Sequence, residues 1–303
     1  MRADPFRLKA DDGVEIFVHR WLPDGDPKAV VQIAHGLAEH AGRYERVAEA
    51  LTGAGYAVYA NDHRGHGQTA KPGELGFFAA REGWAKCLGD LWSLNRRIAT
   101  DLPGKPIVFL GHSMGSFMGQ QFAAEHSDAL AGCILSGSNG APPAIAGAGR
   151  LIARFERLRL GQQGRSQLLQ KMMFGEFNRR FEPARTAFDW LSRDPSEVDR
   201  YIADPLCGFP FTTQLAIDLL DALGPLTKPE TTARIRKDLP VYVFSGARDP
   251  VGGNIDGLID AWRRAGVQKI AVKLYDNGRH EMLNETNRDE VTRDLLAWLA
   301  ESV

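Results

Sequence analysis

The sequence predicts an α/β fold with a mostly parallel central sheet, helices on both faces and an inserted helical cap. Three observations predict it. Compact apolar runs ending in polar or Gly residues recur at 29–36, 56–62, 106–113, 131–138, 241–249 and 269–278. Such continuous runs suit strands buried on both faces of a parallel sheet. Helical patterns near 43–54, 82–101, 115–126, 254–266 and 286–301 alternate with them, and a βαβα series implies parallel strands with helices on both faces. Residues 139–238 break the rhythm. They carry helical patterns and Pro-containing breaks (Pro142-Pro143, Pro183, Pro195, Pro205, Pro210) but no convincing strand.

Each element has its own signal. VEIFVHRW (14–21) reads as a strand that follows an Asp12-Gly13 turn and pairs back on residues 5–10. Residues 1–138 and 239–303 then form two parts of one core, with 139–238 inserted as the cap. In such sheets ligands bind beyond the carboxyl ends of the strands.

Bulk properties exclude several function classes. Lys+Arg (37) and Asp+Glu (38) nearly cancel over the 303 residues, so no basic footprint for nucleic acid exists. The first residues, MRADPFRLKADDG, lack the apolar run of a signal peptide. No stretch of about 18 apolar residues is present to span a membrane. Cys87, Cys133 and Cys207 match neither a disulfide framework nor a C-x-x-C metal site. A reduced, cytoplasmic setting is the expectation.

Gly111-His112-Ser113-Met114-Gly115 fits the G-x-S-x-G nucleophile elbow, and its context is a strand before and a helix after. Ser113 must sit on a sharp turn so that its hydroxyl projects from the sheet, and side chains two positions either side would collide with neighbouring backbone. A serine needs a base, and the base an orienting carboxylate. The chain order expected is Ser, then Asp or Glu, then His. Only His126 and His280 follow Ser113. His126 lies at the far end of the helix that Ser113 starts, about 20 Å away by helical rise. His280 follows the last apolar run, at the expected rim. Asp249, just past VYVF, is the candidate acid. Asp276 is its rival, four residues before His280, whereas Asp238 precedes its strand. The loop 136–140 offers no carboxylate. The oxyanion needs two N–H donors: the backbone of Met114, and that of Leu37 in the loop after VVQIAHG. His35 reads as a brace of that loop.

These motifs together carry a resemblance. His35-Gly36-Leu37-Ala38-Glu39-His40 followed by Gly42-Arg43-Tyr44 resembles the HGxxEHxxRY oxyanion loop of monoacylglycerol lipases. Asp62 to Thr69 resembles their DHxGHGxS segment, and GHSMGS at 111–116 their elbow. Ser245-Gly246 with Asp249-Pro250-Val251 resembles their acid loop, and His280-Glu281 their histidine loop. The resemblance covers the core, about two thirds of the chain. In the cap it is limited to Asp204-Pro205-Leu206. It implies an α/β-hydrolase fold and a serine hydrolase of monoacylglycerols or lysophospholipids. It also implies backbone donors at Leu37 and Met114, a small lipid ester as ligand, and no cofactor. Glu39, His40, Asp62 and Arg64 are expected to brace the oxyanion loop, and Cys207 to be a plain buried thiol.

Two other readings compete. One is a peptidase or amidase with the same triad, which needs an acidic site for a substrate ammonium. The cap acids Glu176, Glu182, Asp189, Asp194, Glu197 and Asp199 leave it open. Dehalogenases and epoxide hydrolases use Asp where Ser113 stands. The other reading is a non-catalytic receptor of the same fold. Finally, residues 141–190 hold nine basic side chains against four acidic ones. There Ala148, Leu151, Ile152, Phe155 and Leu158 form an apolar helical stripe beside Arg150, Arg154 and Arg157. Such a helix either lies transiently at a lipid surface or, as is usual, packs its stripe on the core with the arginines in water.

Overall fold

The computed structural model describes residues 1–141 and 146–303; the Pro142-Pro143 break lies outside the described residues. Nine strands form one sheet. They are β1 (Arg2–Ala3), β2 (Phe6–Lys9), β3 (Glu15–Leu22), β4 (Ala29–Ala34), β5 (Tyr56–Asn61), β6 (Ile107–His112), β7 (Gly132–Ser136), β8 (Val241–Gly246) and β9 (Ile270–Tyr275). The six strands β5-β4-β6-β7-β8-β9 run parallel. On the β5 side β3 joins antiparallel, with β1 and β2 paired to it. The turn between β2 and β3 uses Gly13 at φ +83°, a backbone region glycine enters without steric cost.

Side-chain alternation sends each strand into two apolar layers. Val31, Ile33, Val108 and Leu110 face α1 (Glu45–Gly53) and α10 (Arg288–Ser302). Val30, Ala34, Ile107 and Phe109 face α2 (Gly83–Asp101), α3 (Met114–His126) and α9 (Ile255–Arg264). Strands β4 to β8 are buried throughout, as their continuous apolar runs require. β9 departs from that expectation. As the edge strand it has one covered side, and Val272 and Leu274 are exposed.

From β4 the chain moves to β5 on one side and later returns to β6 on the other. Ala34 is in register with Gly111. The loops after β4 and β6 therefore leave the sheet side by side at a topological switch point, where such sheets bind ligands.

Between β7 and β8 the described residues hold helices and no strand: α4 (Ala146–Leu160), α5 (Gln167–Phe174), α6 (Pro195–Ala203), α7 (Thr213–Leu223) and α8 (Pro229–Thr232). The orientation of α4 corrects the usual expectation. Its buried face is the small-residue row of Gly149 and Ala153, continued by Glu156. Arg150 donates to the Leu220 carbonyl and Arg157 to Gln214 Oε1, both on α7. Leu151, Phe155 and Leu158 are 68%, 64% and 83% exposed. Small residues let α4 approach α7 closely, and the arginines find acceptors there. Most of the apolar stripe is thus turned to solvent.

Candidate active site

Ser113 stands between β6 and α3 at φ +52°, ψ −118°. For a residue with a Cβ this region costs roughly 1–3 kcal/mol and persists only where neighbours over-determine it. Here its N–H donates to the Ser136 carbonyl at 2.9 Å, and its carbonyl accepts from Ser116 N and Phe117 N. The two elbow glycines are sterically required. A Cβ on Gly111 would strike the Gly115 carbonyl, and one on Gly115 the Ala34 carbonyl.

Asp249 and His280 come from the loops after β8 and β9. His280 Nδ1 lies 2.9 Å from both oxygens of Asp249. Ser245 Oγ and Val251 N also donate to that carboxylate, at 2.7 and 2.8 Å. Burial alone would raise the Asp249 carboxyl, but the charge and hydrogen bond of His280, with those two donors, hold it below its ordinary value. Burial alone would lower His280, but Asp249, with Glu281 and Glu39 behind it, lifts the imidazole above its ordinary value. The rivals lie elsewhere. Asp276 is exposed, Asp238 pairs with Arg236, and the His126 ring stacks on Trp92 at 4.0 Å. Ser113 and His280 line one cavity. No hydrogen bond joins them among the described residues; in unliganded hydrolases that contact is often long and tightens with substrate.

Leu37 lines the same cavity. Neither its amide nor that of Met114 has a protein acceptor among the described residues. Glu39 accepts from Gly36 N and Tyr44 Oη and pairs with Arg43. Arg43 also grips Glu281 through two 2.7 Å hydrogen bonds. Burial would raise Glu281, but Arg43 holds it at about 2. His35 Nε2 accepts from His63 N, and burial pushes His63 down to about 3 and His66 to about 4, so this histidine group braces the loop as neutral rings. Asp62 accepts from Ala41 N and Gln68 N, and His40 pairs with Asp204 at the end of α6. Arg64 corrects the expectation: it binds Asp12 and Asp90, so it ties the N-terminal hairpin to α2 rather than bracing the oxyanion loop.

Three neighbours of the site were not assigned from sequence. Arg43 bridges the oxyanion and histidine loops, the Trp190 ring lies 5.0 Å from that of His280, and Tyr201 reaches the oxyanion loop. Trp190 and Tyr201 contact partners some 90 to 160 residues away in the chain, and no local pattern announces that.

The cavity has a volume of about 600 Å³, within the range of small-ligand sites. Phe174, Phe188, Trp190 and Phe209 make an apolar wall, and Gln167 and Lys171 of α5 also line the cavity. Its only carboxylates among the described residues, Glu39 and Glu281, are both taken by Arg43. Cys207 is buried beside Trp190 and Tyr201, with its thiol pushed up by burial, and does not line the cavity. His40, Asp204 and Cys207 bring three donor atoms within 4.8 Å of one another, and the His40–Asp204 hydrogen bond satisfies two of them.

Residues 25–287 match the Hydrolase_4 family, described as serine aminopeptidase S33. The monoacylglycerol lipase of Mycolicibacterium smegmatis is 31% identical over 95% of this chain and 93% of its own length. Mouse monoglyceride lipase is 30% identical over 96% of this chain and 89% of its own. A thermostable carboxyl esterase from Bacillus coagulans, solved in complex with glycerol, superimposes with a TM-score of 0.91. It is 26% identical and covers 100% of this chain and 99% of its own. The chain belongs to this family of serine hydrolases with the α/β-hydrolase fold.

Proposed function

We propose that the protein hydrolyses single-chain lipid esters, monoacylglycerols or lysophospholipids, through an acyl-enzyme. Ser113 Oγ adds to the ester carbonyl while His280 Nε2 takes its proton. Asp249 holds the imidazole in the required tautomer and stabilises the imidazolium. The Leu37 and Met114 amides receive the oxyanion. His280 then protonates the departing alcohol, and water repeats the sequence to release the fatty acid. No cofactor enters this scheme. The cap comprises residues 139–238.

One observation carries the substrate class: the wall beside Ser113 is aromatic, and no free carboxylate faces the cavity among the described residues. A peptidase that captures a substrate ammonium needs such a carboxylate. None of the cap acids weighed from sequence lines the cavity, and Asp194 pairs with Arg288, Glu197 with Arg46 and Asp199 with Arg185. The similarity to monoacylglycerol lipases supports the same reading. A panel of monoacylglycerols, lysophospholipids, triacylglycerols and aminoacyl amides tests it. Monoacyl esters should turn over fastest; preference for aminoacyl amides or triacylglycerol emulsions overturns the assignment. A short-chain chromogenic ester separates an enzyme from a receptor, which would not turn it over.

No helix among the described residues is long and apolar enough to cross a membrane. The cap meets lipid from the surface in this reading. Leu151, Phe155 and Leu158 on α4, with Leu168 and Met172 on α5, are exposed, and α5 also supplies Gln167, Lys171 and Phe174 to the cavity. The three cysteines are buried and unpaired, which supports a reducing, cytoplasmic setting.

A further inference from the structure

Two hydrogen bonds from the cap converge on one atom of the oxyanion loop, the Ala38 carbonyl oxygen. Ala38, next to the Leu37 donor, stands at φ +56°, the left-handed region that residues with a Cβ rarely enter. Its carbonyl accepts two hydrogen bonds, both from the cap: Tyr201 Oη at 2.8 Å and Gly208 N at 2.9 Å. Tyr201 is 5% exposed. Its ring lies 4.9 Å from the Arg43 guanidinium, which itself joins Glu39 and Glu281. The phenol is therefore wedged between the loop it holds and the charged group that ties that loop to the histidine.

From this geometry we propose that Tyr201 is a positioning residue for the oxyanion hole: its hydroxyl, together with Gly208 N–H, fixes the Ala38 peptide and so aims the Leu37 amide. The proposal rests on the assignment of Ser113 as nucleophile and Leu37 as donor. Three observations support it. Ala38 is strained, and strain survives only under external restraint. Both restraints come from the insertion between β7 and β8 rather than from the core that carries the loop. Burial also holds the phenol well above its ordinary value, so it remains a donor at any working pH. The cap then does more than cover the site. Any displacement of α6 or of the 204–208 turn from the core releases the Ala38 carbonyl, and oxyanion stabilisation falls with it.

The effect belongs in the transition state. A loop out of place by a fraction of an ångström weakens a bond to the oxyanion but not to the ground-state ester. Tyr201→Phe keeps the ring on Arg43 and removes only the hydroxyl. It should lower kcat on a soluble short-chain ester by roughly tenfold to a hundredfold, with KM within about twofold. Labelling by a fluorophosphonate and affinity for a trifluoromethyl ketone should fall in parallel, since both need the oxyanion site, whereas binding of the fatty-acid product should not. Tyr201→Leu, which also loses the ring, serves as the second variant. Unchanged kcat in Tyr201→Phe with loss only in Tyr201→Leu would show a packing role and overturn the proposal. So would a raised KM at unchanged kcat, which would make Tyr201 a substrate contact. Labelling of the wild-type protein tests the parent reading separately: no adduct on Ser113 removes that reading, and this proposal with it.

Discussion

Asp249 illustrates how a residue acquires its role from its surroundings. Three donors converge on one buried carboxylate and keep it ionised, so it can hold the proton of His280 Nδ1 and leave Nε2 free to act as base. Asp249→Asn should therefore lower kcat by about 10⁴ with little change in KM, because the tautomer is lost; stopped-assay kinetics check it, and a similar loss in Asp276→Asn instead would reassign the acid. Ser113→Ala should leave only the residual turnover that binding and oxyanion contacts supply. The direction of the His280 shift predicts the pH profile. As the proposed base, His280 works as neutral imidazole, and its protonated form is stabilised by Asp249, Glu281 and Glu39. Activity should thus fall on the acid side, with a midpoint of kcat/KM above the ordinary histidine value of about 6.5. A midpoint below that value would contradict the assigned environment.

At the scale of elements, the α3 elbow and the α4 surface helix contrast. The elbow is fixed by sterics: Gly115→Ala would drive a Cβ into the Ala34 carbonyl, so β4 and α3 must separate. The variant should lose both activity and melting temperature together. Helix α4 instead follows its small residues. Because Arg150 and Arg157 are engaged by α7, the proposed lipid docking of this helix would depend on the exposed Leu151, Phe155 and Leu158. Each contributes about 1.5–3 kcal/mol on full burial. Changing all three to Ser should reduce co-sedimentation with liposomes more than tenfold, with weak dependence on salt and little loss of short-chain esterase activity. Equal sedimentation of the two proteins would remove the docking role.

Across the whole molecule, Arg43 closes the site. It joins the loop after β4 to the loop after β9, strands that stand four places apart in the sheet. Removing it leaves two buried carboxylates unpaired, so Arg43→Met should cost about 3–5 kcal/mol of stability near neutral pH. The sign with pH follows from Glu281. Its folded value is depressed, so Arg43 stabilises the fold above the ordinary glutamate range, and that contribution fades as pH falls toward about 2. The difference between wild-type and variant melting temperatures should therefore narrow in acid. A constant difference would show that packing over Tyr201, not charge, accounts for the loss.

The sequence by itself determined the alternating architecture, the order of the strands in the chain and the elbow motif at Ser113, and it singled out His280 and Asp249 as the candidate base and acid. Each of these is local. Buried parallel strands need continuous apolar runs, the elbow needs Gly111 and Gly115, and the triad order leaves one usable histidine. Tertiary structure decided the rest, because the deciding contacts lie far apart in sequence. That Arg64 serves the N-terminal hairpin depends on Asp12 and Asp90 arriving beside it. The outward face of α4 depends on α7, which offered acceptors to its arginines. The exposure of β9 depends on its place at the sheet edge. The hold of Tyr201 on Ala38 spans 163 positions. Periodicity reports which residues share a face, but only packing settles which face turns inward, because burial is a property of the partner as much as of the helix.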